Sequence, residues 1–192
     1  MIYLLIASYL IGSISSAVII CKVLGIPDPR TQGSKNPGAT NVLRLGGKKI
    51  AGFVLTFDGL KGATPVIIGH YLEFGLTQLT LITLCAFLGH IFPVFFRFKG
   101  GKGVATYLGG LIAINLLAGL IFSVIWLLVA KVLKTSSLAA LIATALSPFY
   151  FYFITGDIAS TLIIGLISLF IFYTHRGNIK RLINKEEDDI QS

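Results

Sequence analysis

Residues 103–134 read GVATYLGGLIAINLLAGLIFSVIWLLVAKVLK and carry no charge between Gly103 and Lys131. As one helix, this run would be about 48 Å long, whereas the hydrocarbon core of a bilayer is about 30 Å thick. Two short helices that turn near Asn115 to Gly119 fit that thickness better. We therefore expect helices at 103–118 and 119–134 in place of one long span.

The composition places the rest of the chain in a membrane as well. Of 192 residues, 55% are hydrophobic and 12% are charged, and the mean hydropathy is +0.86. A soluble domain of this length could not bury so much apolar surface. We expect an all-α integral membrane protein with a single polytopic domain over 1–192, whose other spans are 2–24, about 50–75, 77–97, 137–155 and 157–174.

The basic residues predict the orientation of these seven spans. With the N-terminus outside, every Lys and Arg except Lys61 falls on one face, and the opposite face receives only Glu73 and Asp157. Cytoplasmic loops of membrane proteins are enriched in Lys and Arg. We therefore expect a cytoplasmic C-terminus. Residues 176–192 would form a short, solvated cytoplasmic tail, whose acidic run makes it soluble.

Several functions are disfavoured by what the chain lacks. Cys21 and Cys85 lie inside apolar segments without metal-ligand or disulfide spacing, so we interpret both as packing residues. No cluster of His, Cys and carboxylates indicates a metal, and no soluble basic domain is present to bind nucleic acid. We expect no metal, no cofactor and no nucleic-acid partner.

The expected topology brings three helix N-termini to the cytoplasmic side. Each N-terminus carries about half a positive charge and free N–H groups. Lysines precede all three helices, at Lys48 and Lys49, at Lys102, and at Lys131 and Lys134. If these ends converge, they form an anion pocket; alternatively, the lysines only set topology and bind anionic headgroups.

Three segments pair Lys with Gly, which permits close approach of the backbone to a ligand. They are GGKK at 46–49, DGLKG at 58–62 and KGGKG at 99–103. The last is not a nucleotide-binding Walker A loop, because Phe96 stands where that motif has its first Gly and Gly103 where it has Ser or Thr. Asp58 and Lys61 interrupt an apolar segment, so they either serve function or form an ion pair with each other.

The motifs GSKNPGATNVLR (33–44), DGLKG (58–62) and GHIFPVFFRFKGGKGVAT (89–106) occur in this order. Together they resemble the bacterial membrane glycerol-3-phosphate acyltransferases that use acyl phosphate as donor. Lys35 stands where that family often has Gly. The resemblance implies acyl transfer to the 1-hydroxyl of glycerol 3-phosphate, giving lysophosphatidate and phosphate, the first step of phospholipid synthesis. It also implies a soluble partner that produces acyl phosphate.

The resemblance implies site residues in the first two motifs. Arg44 suits bidentate phosphate contact, while amides and hydroxyls would orient the glycerol or stabilise an oxyanion. Gly38 would also serve turn chemistry, and Ser34 could instead be a covalent nucleophile. We favour direct attack by the substrate hydroxyl, since acyl phosphate is already activated. The implied residues are Ser34, Asn36, Gly38, Thr40, Asn41, Arg44, Asp58, Lys61 and Gly62.

In the third motif, phosphate binding is expected from Lys99 and Lys102, with the backbone N–H groups of Gly100, Gly101 and Gly103. His90 is the candidate general base. Alternatively, His90 forms a hydrogen bond to backbone that is loosened around Pro93. The donor's own phosphate could also take the proton of the attacking hydroxyl. Position alone adds Ser136, Ser137, His175 and Asn178, whereas we interpret His70, Asn115 and Trp126 as structural.

Two other functions compete with acyl transfer. A small anion or phosphate transporter would need polar groups along a path through the membrane, and spans five to seven offer few. A lipid phosphotransferase would need carboxylates to hold Mg²⁺, and only Asp28 and Asp58 lie near the motifs.

Overall fold

The computed structural model describes residues 1–190, which form helices joined by short connections, without strands. A 3₁₀ turn at Val94–Phe96 follows the fourth helix. The α-helices are α1 (Ile2–Gly12), α2 (Ser16–Val23), α3 (Ala39–Tyr71), α4 (Leu76–Ile91), α5 (Val104–Ile114), α6 (Leu116–Leu133), α7 (Ser136–Thr155), α8 (Ile158–Thr174) and α9 (Arg176–Ile183).

Four helical segments are long and apolar enough to cross a membrane: α3, Leu76–Phe96, α6 and α7. Two bent pairs add to these, α1 with α2 at 42° and α8 with α9 at 60°, so the described residues hold four to six candidate spans. Helix α5 is apolar but short. Each of the seven segments expected from the sequence contains at least one helix.

The break expected in residues 103–134 is confirmed, and it occurs at Asn115. This residue has extended backbone angles (φ −152°, ψ 111°) between α5 and α6, and its side chain accepts a hydrogen bond from the Ala118 amide at 2.9 Å. Helix α6 then folds back onto α5. The two helices are so close that a Cβ on Gly119 would lie 2.3 Å from Ile112. Asn115 therefore works as an N-cap that ends one helix and starts the next.

The interior is built around α4, which packs against α1, α3, α5 and α8. Its Ile82 and Phe87 are fully buried with Tyr107 of α5, Phe122 of α6 and Ile167 of α8. Small residues allow two of the helix pairs to touch through their backbones. A Cβ on Gly12 of α1 would meet the Ala86 carbonyl at 2.0 Å, and one on Gly62 of α3 would meet the Thr106 carbonyl at 2.0 Å.

Large apolar side chains also cover the outside of the bundle. Phe53 is 60% exposed on α3, Phe153 85% on α7 and Leu169 70% on α8. Water would not favour so many exposed aromatic and aliphatic groups, whereas lipid tails would. The outer surface therefore fits an integral membrane protein.

Helix α3 is two helices joined at Gly47, whose angles of φ 81° and ψ 178° only glycine adopts easily. The part after Gly47 agrees with the span expected from about residue 50. The part before it was expected to be loop, but it forms helix from Ala39 onward. The second half of the GSKNPGATNVLR motif is therefore helical, and its side chains project at helical spacing.

The C-terminal segment also differs from expectation. Arg176–Ile183 forms α9, and the chain then turns back toward the bundle, where the Ile190 amide donates to the Lys134 carbonyl at 2.9 Å. The acidic run was expected to be solvated, but the side chain of Glu187 is only 10% exposed. Two carboxylates of this run, those of Glu187 and Asp188, contact the bundle.

Candidate active site

A cavity of about 330 Å³ lies where the three sequence motifs meet α6, α7 and the C-terminal segment. One part of its wall is polar and the other apolar. The apolar part includes Leu55, Leu108, Phe122, Trp126 and Leu127. Leu55 and Leu127 are 52% and 60% exposed, so this part reaches the outer, apolar surface of the bundle. The cavity can therefore take a molecule with a charged head and an apolar chain.

Asn41 fixes the loop that carries the first half of motif one. Its side-chain oxygen accepts from the Ser34 amide at 3.0 Å, and its NH₂ group donates to the carbonyls of Pro29 (2.8 Å) and Gln32 (3.0 Å). Asn41 is 2% exposed, so these bonds form in a dry environment. Asn41 lines the cavity, but its polar atoms hold the loop in place.

The hydroxyls of Thr40 and Ser136 connect motif one to the start of α7, at 3.1 Å from each other. Both residues line the cavity, as do the neighbouring Ser137 and, across the loop, Ser34 and Asn36. In the described part of the chain, the Ser34 hydroxyl forms no hydrogen bond to an imidazole. The geometry therefore gives no support to Ser34 as a base-activated nucleophile.

Arg44 extends from the first turns of α3 to the C-terminal segment. Its guanidinium donates to the Asp188 carboxylate at 3.0 Å and to the Asp189 carbonyl at 2.8 Å. The side chain of Arg44 is 19% exposed and that of Asp188 is 62% exposed. Arg44 therefore already holds an anionic group at the edge of the cavity, as a phosphate-binding arginine can.

Lys102 is the lysine of the KGGKG loop that faces the cavity. Its ammonium donates to the side-chain oxygen of Asn178 in α9, and Thr174 anchors the Lys102 carbonyl at 3.3 Å. Burial lowers the pKa of Lys102 to about 8; the charge of Glu187 opposes this shift, whereas Arg181 and Arg44 add to it. Lys102 is therefore mostly charged at neutral pH and loses that charge in mildly alkaline solution.

Glu187 lies beside Lys102 and accepts three hydrogen bonds. Ser137 donates at 2.7 Å, Arg181 donates at 2.7 Å, and the Asn178 amide donates as well. Burial raises the pKa of Glu187, but these bonds outweigh it and hold the pKa below its usual value. The carboxylate is therefore ionised at neutral pH.

His90 lies on the cavity wall at the end of α4 and is 7% exposed. Its Nδ1 lies 3.2 Å from the Thr106 hydroxyl and 3.7 Å from an oxygen of Asp58. Its Nε2 faces Gly101, where a Cβ would be 2.2 Å away. Protein groups therefore engage Nδ1, whereas Nε2 lies against Gly101 with no hydrogen bond among the described residues. The alternative bond from the ring to backbone around Pro93 is not formed in this part of the chain.

Asp58 and Lys61 form a buried ion pair at 2.9 Å. Asp58 also accepts from Ser16 at 2.7 Å, and Lys61 donates to the Ile14 carbonyl at 2.8 Å. Both partners are therefore satisfied within the protein, as buried charges must be. The pair connects α3 to the break between α1 and α2.

The glycines of the third motif serve packing. The Gly101 amide donates to the His90 carbonyl at 3.2 Å, so this N–H is engaged within the protein, and phosphate binding by it stays a prediction. A Cβ on Gly100 would lie 2.0 Å from that carbonyl. Gly103, with φ +85°, lies against the Phe87 ring. The KGGKG loop folds tightly onto the end of α4, which leaves Lys102 to face the cavity.

The structure brings most of the expected site residues to one cavity. Those on its wall are Ser34, Asn36, Gly38, Thr40, Asn41, Arg44, Asp58, His90, Lys102, Gly103, Ser136, Ser137, His175 and Asn178. Five expected residues do not line it. Lys61 is paired with Asp58, Gly62 packs on α5, Gly100 and Gly101 pack on His90, and Lys99 is exposed.

Further residues on the wall were not expected, among them Trp126, Arg181, Glu187 and Asp188. Trp126 was interpreted as structural. Arg181 follows Asn178 by three positions, a spacing that places both on one helix face and could have revealed it. Glu187 and Asp188 had no such signal, because only the return of the chain after α9 brings them to the cavity. Among residues 1–190, no three His, Cys, Asp or Glu side chains come close enough together to hold a metal ion.

The fold and the cavity define an all-helical protein of the integral membrane type, with a cavity whose cationic, hydroxyl-lined part lies beside an apolar wall. The family model of the glycerol-3-phosphate acyltransferases matches residues 2–185 of this chain. The chain belongs to this family.

Relatives and solved structures agree with this assignment. The chain is 62% identical over 189 residues to the glycerol-3-phosphate acyltransferase of Ruthia magnifica, covering 98% of this chain and 96% of that protein. It is 45% identical over 190 residues to that of Legionella pneumophila strain Philadelphia 1, covering 99% and 69%. Two crystal structures of PlsY, an integral membrane glycerol 3-phosphate acyltransferase, each cover 98% of this chain and 94% of theirs. The glycerol 3-phosphate form has a TM-score of 0.93 at 38% identity, and the lysophosphatidic acid form 0.91 at 37%.

Proposed function

We propose that this chain transfers a fatty acyl group from acyl phosphate to the 1-hydroxyl of glycerol 3-phosphate, giving lysophosphatidate and inorganic phosphate. The observation that carries the proposal is the cavity, in which Arg44, Lys102 and the Ser136–Ser137 hydroxyls lie opposite an apolar wall that reaches the lipid-facing surface. Such a cavity suits a reaction between two phosphates that yields a lipid.

The polar part of the cavity would hold phosphate. Arg44 offers a planar pair of donors and Lys102 a point charge, with Ser136, Ser137 and Asn178 as hydrogen-bonding neighbours. We assign the phosphate held in this polar part to glycerol 3-phosphate, because that substrate arrives from water and has no acyl chain to bury. The apolar wall, with Phe122 and Trp126, would take the acyl chain of the donor.

In the reaction, O1 of the glycerol forms a bond to the acyl carbon while the bond from that carbon to the phosphate oxygen breaks. Negative charge develops on the carbonyl oxygen and on the leaving phosphate, where cationic and hydroxyl groups would stabilise it. Ser34 and Asn36, at the cavity wall, are candidates for the carbonyl oxygen. No covalent enzyme intermediate is required.

The proton of the glycerol hydroxyl needs an acceptor. His90 is the only imidazole of the three motifs, but its Nδ1 faces Thr106 and Asp58, and its Nε2 lies against Gly101. We therefore assign the proton to the leaving phosphate and give His90 the role of orienting the KGGKG loop. If His90 acts as the base, replacing it with Ala will abolish the chemical step. A small loss of rate in the chemical step will support the leaving phosphate as the proton acceptor.

We also propose seven spans with the N-terminus outside, in a bacterial inner membrane. The chain would form one polytopic domain over 1–192, and residues 176–192 would lie on the cytoplasmic side with the cavity mouth. The near-complete segregation of Lys and Arg supports this orientation. A soluble acyl-phosphate-producing enzyme would deliver the donor there. Transport of a small anion is not favoured, because the family match indicates acyl transfer.

The test is an assay of the purified protein in lipid with acyl phosphate and labelled glycerol 3-phosphate, with acyl-CoA as a parallel donor. We expect labelled lysophosphatidate from acyl phosphate only. Lys102→Gln should lower the rate about a hundredfold. Lys99→Gln is the matched control and should retain the rate, since Lys99 is exposed and off the cavity. Absence of product from acyl phosphate would refute the proposal.

A further inference from the structure

One ionised carboxylate lies among the cations of the cavity, and the proposed reaction does not use it. Glu187 accepts hydrogen bonds from Ser137 at the start of α7 and from Asn178 and Arg181 in α9. Both of its oxygens are occupied, and its side chain is 10% exposed. An acidic group would ordinarily repel a phosphate nearby, so its presence needs a reason.

The contacts of Glu187 lead directly to the phosphate-binding groups. Asn178 donates through its NH₂ group to Glu187, which leaves its side-chain oxygen to accept from the Lys102 ammonium. Glu187 thereby determines which end of the Asn178 amide faces Lys102. At the same time it holds the Ser137 hydroxyl and the Arg181 guanidinium at the cavity wall. One side chain therefore ties two helices, α7 and α9, to the C-terminal segment.

Glu187 also offsets the mutual repulsion of the cations. Lys102 faces Arg181 of α9 and Arg44 of α3, with His175 nearby between α8 and α9. Arg181 and Arg44 disfavour the protonated form of Lys102, whereas the negative charge of Glu187 favours it. The carboxylate would thus keep Lys102 charged before phosphate arrives, and three cations would still leave the site positive.

We propose that Glu187 is a positioning residue for phosphate binding, acting through Asn178 and Lys102. It orients the Asn178 amide and keeps Lys102 protonated, and it does not itself touch the substrate. The proposal rests on the acyltransferase function and adds to it a residue from the C-terminal segment, outside the three motifs.

Two substitutions separate the geometric role from the electrostatic one. Glu187→Gln keeps the length of the side chain but removes its charge, so the alkaline limb of the KM profile for glycerol 3-phosphate should move to lower pH by about one unit. Glu187→Asp keeps the charge but is too short to reach all its partners. It should raise that KM about tenfold with the alkaline limb in place.

The neighbouring Glu186 is the matched control, because it is acidic and exposed. Glu186→Gln should leave both the KM and the pH profile as in the wild type. The proposal is overturned if Glu187→Gln behaves like Glu186→Gln. It is also overturned if Glu187→Gln lowers the KM, since Glu187 would then compete with phosphate.

Binding measurements distinguish this proposal from failure of the acyltransferase function. Titration calorimetry of the purified wild-type protein and variants with glycerol 3-phosphate, over the same pH range, needs no acyl transfer. We expect the Kd to follow the same pattern as the KM. If acyl transfer fails but the Kd of Glu187→Gln shows the shifted pH dependence, only the reaction is refuted. If Glu187→Gln does not fold, Glu187→Asp decides: an unchanged Kd overturns the proposal.

Discussion

The contact between Gly62 and α5 allows a sharp test of how the cavity is built. Gly62 of α3 lies so close to α5 that a Cβ would be 2.0 Å from the Thr106 carbonyl oxygen. The opposing atom is backbone, so it cannot rotate away. Gly62→Ala must therefore push the two helices apart.

The size of the displacement follows from ordinary contact distances. A carbon and a carbonyl oxygen approach to about 3.3 Å, so the Gly62 position and α5 must separate by about 1.3 Å. Overpacking of this kind costs about 1–3 kcal/mol. Helix α5 carries Thr106, which contacts His90, and it follows directly on Lys102. Misplacement of site residues by about 1 Å can lower activity a hundredfold.

Gly52→Ala is the matched control, because Gly52 lies on the same helix and a Cβ there meets nothing within 4 Å. Thermal unfolding in detergent and kcat/KM in lipid should be measured for both variants. We expect Gly62→Ala to unfold at lower temperature and to lose most of its activity, and Gly52→Ala to match the wild type. Equal stability and activity of the two variants would refute the reasoning.

Three further predictions concern the polar wall. Because the pKa of Lys102 is about 8, the KM for glycerol 3-phosphate should rise above about pH 8 as the ammonium is lost; Lys102→Arg, which stays charged, should show no such rise. Asp188→Asn should lower that KM about twofold to fivefold, since Arg44 can then bind phosphate without first breaking its ion pair with residue 188. An unchanged KM would contradict this. Asn41→Ala should reduce kcat/KM at least about tenfold by releasing the loop at 29–34, and full activity would show that the loop holds its place unaided.

Much of the fold could be predicted because membrane thickness limits helix length. The break in residues 103–134 followed from that limit together with the distribution of Lys and Arg, and the structure places it at Asn115. The break between α1 and α2 was not predicted, since Ser13, Ile14 and Ser15 read as an unremarkable part of one apolar segment. Asp58 and Lys61, far away in the chain, form hydrogen bonds with the residues of this break.

The site was predictable where residues lie in the motifs or at the expected cytoplasmic ends of helices, as Ser136 and Asn178 do, and not where the chain folds back. Arg44 was expected from the family resemblance of its motif, and Lys102 also from its place among glycines before a helix. The glycines at 100 and 101 were expected to approach a ligand, but they approach His90, and sequence cannot distinguish the two. Glu187 and Asp188 looked like a solubilising run, because their partners at Ser137 and Arg44 are remote in sequence.

The buried ion pair of α3 has a consequence for how the protein is made. The break between α1 and α2 leaves the Ile14 carbonyl outside the helical ladder, and Lys61 is its partner. Ser16, on the other side of the break, bonds Asp58. A polar backbone group exposed to lipid is costly. We therefore expect the first hydrophobic segment to take its final shape only after residue 61 has been synthesised and α3 has entered the membrane beside it.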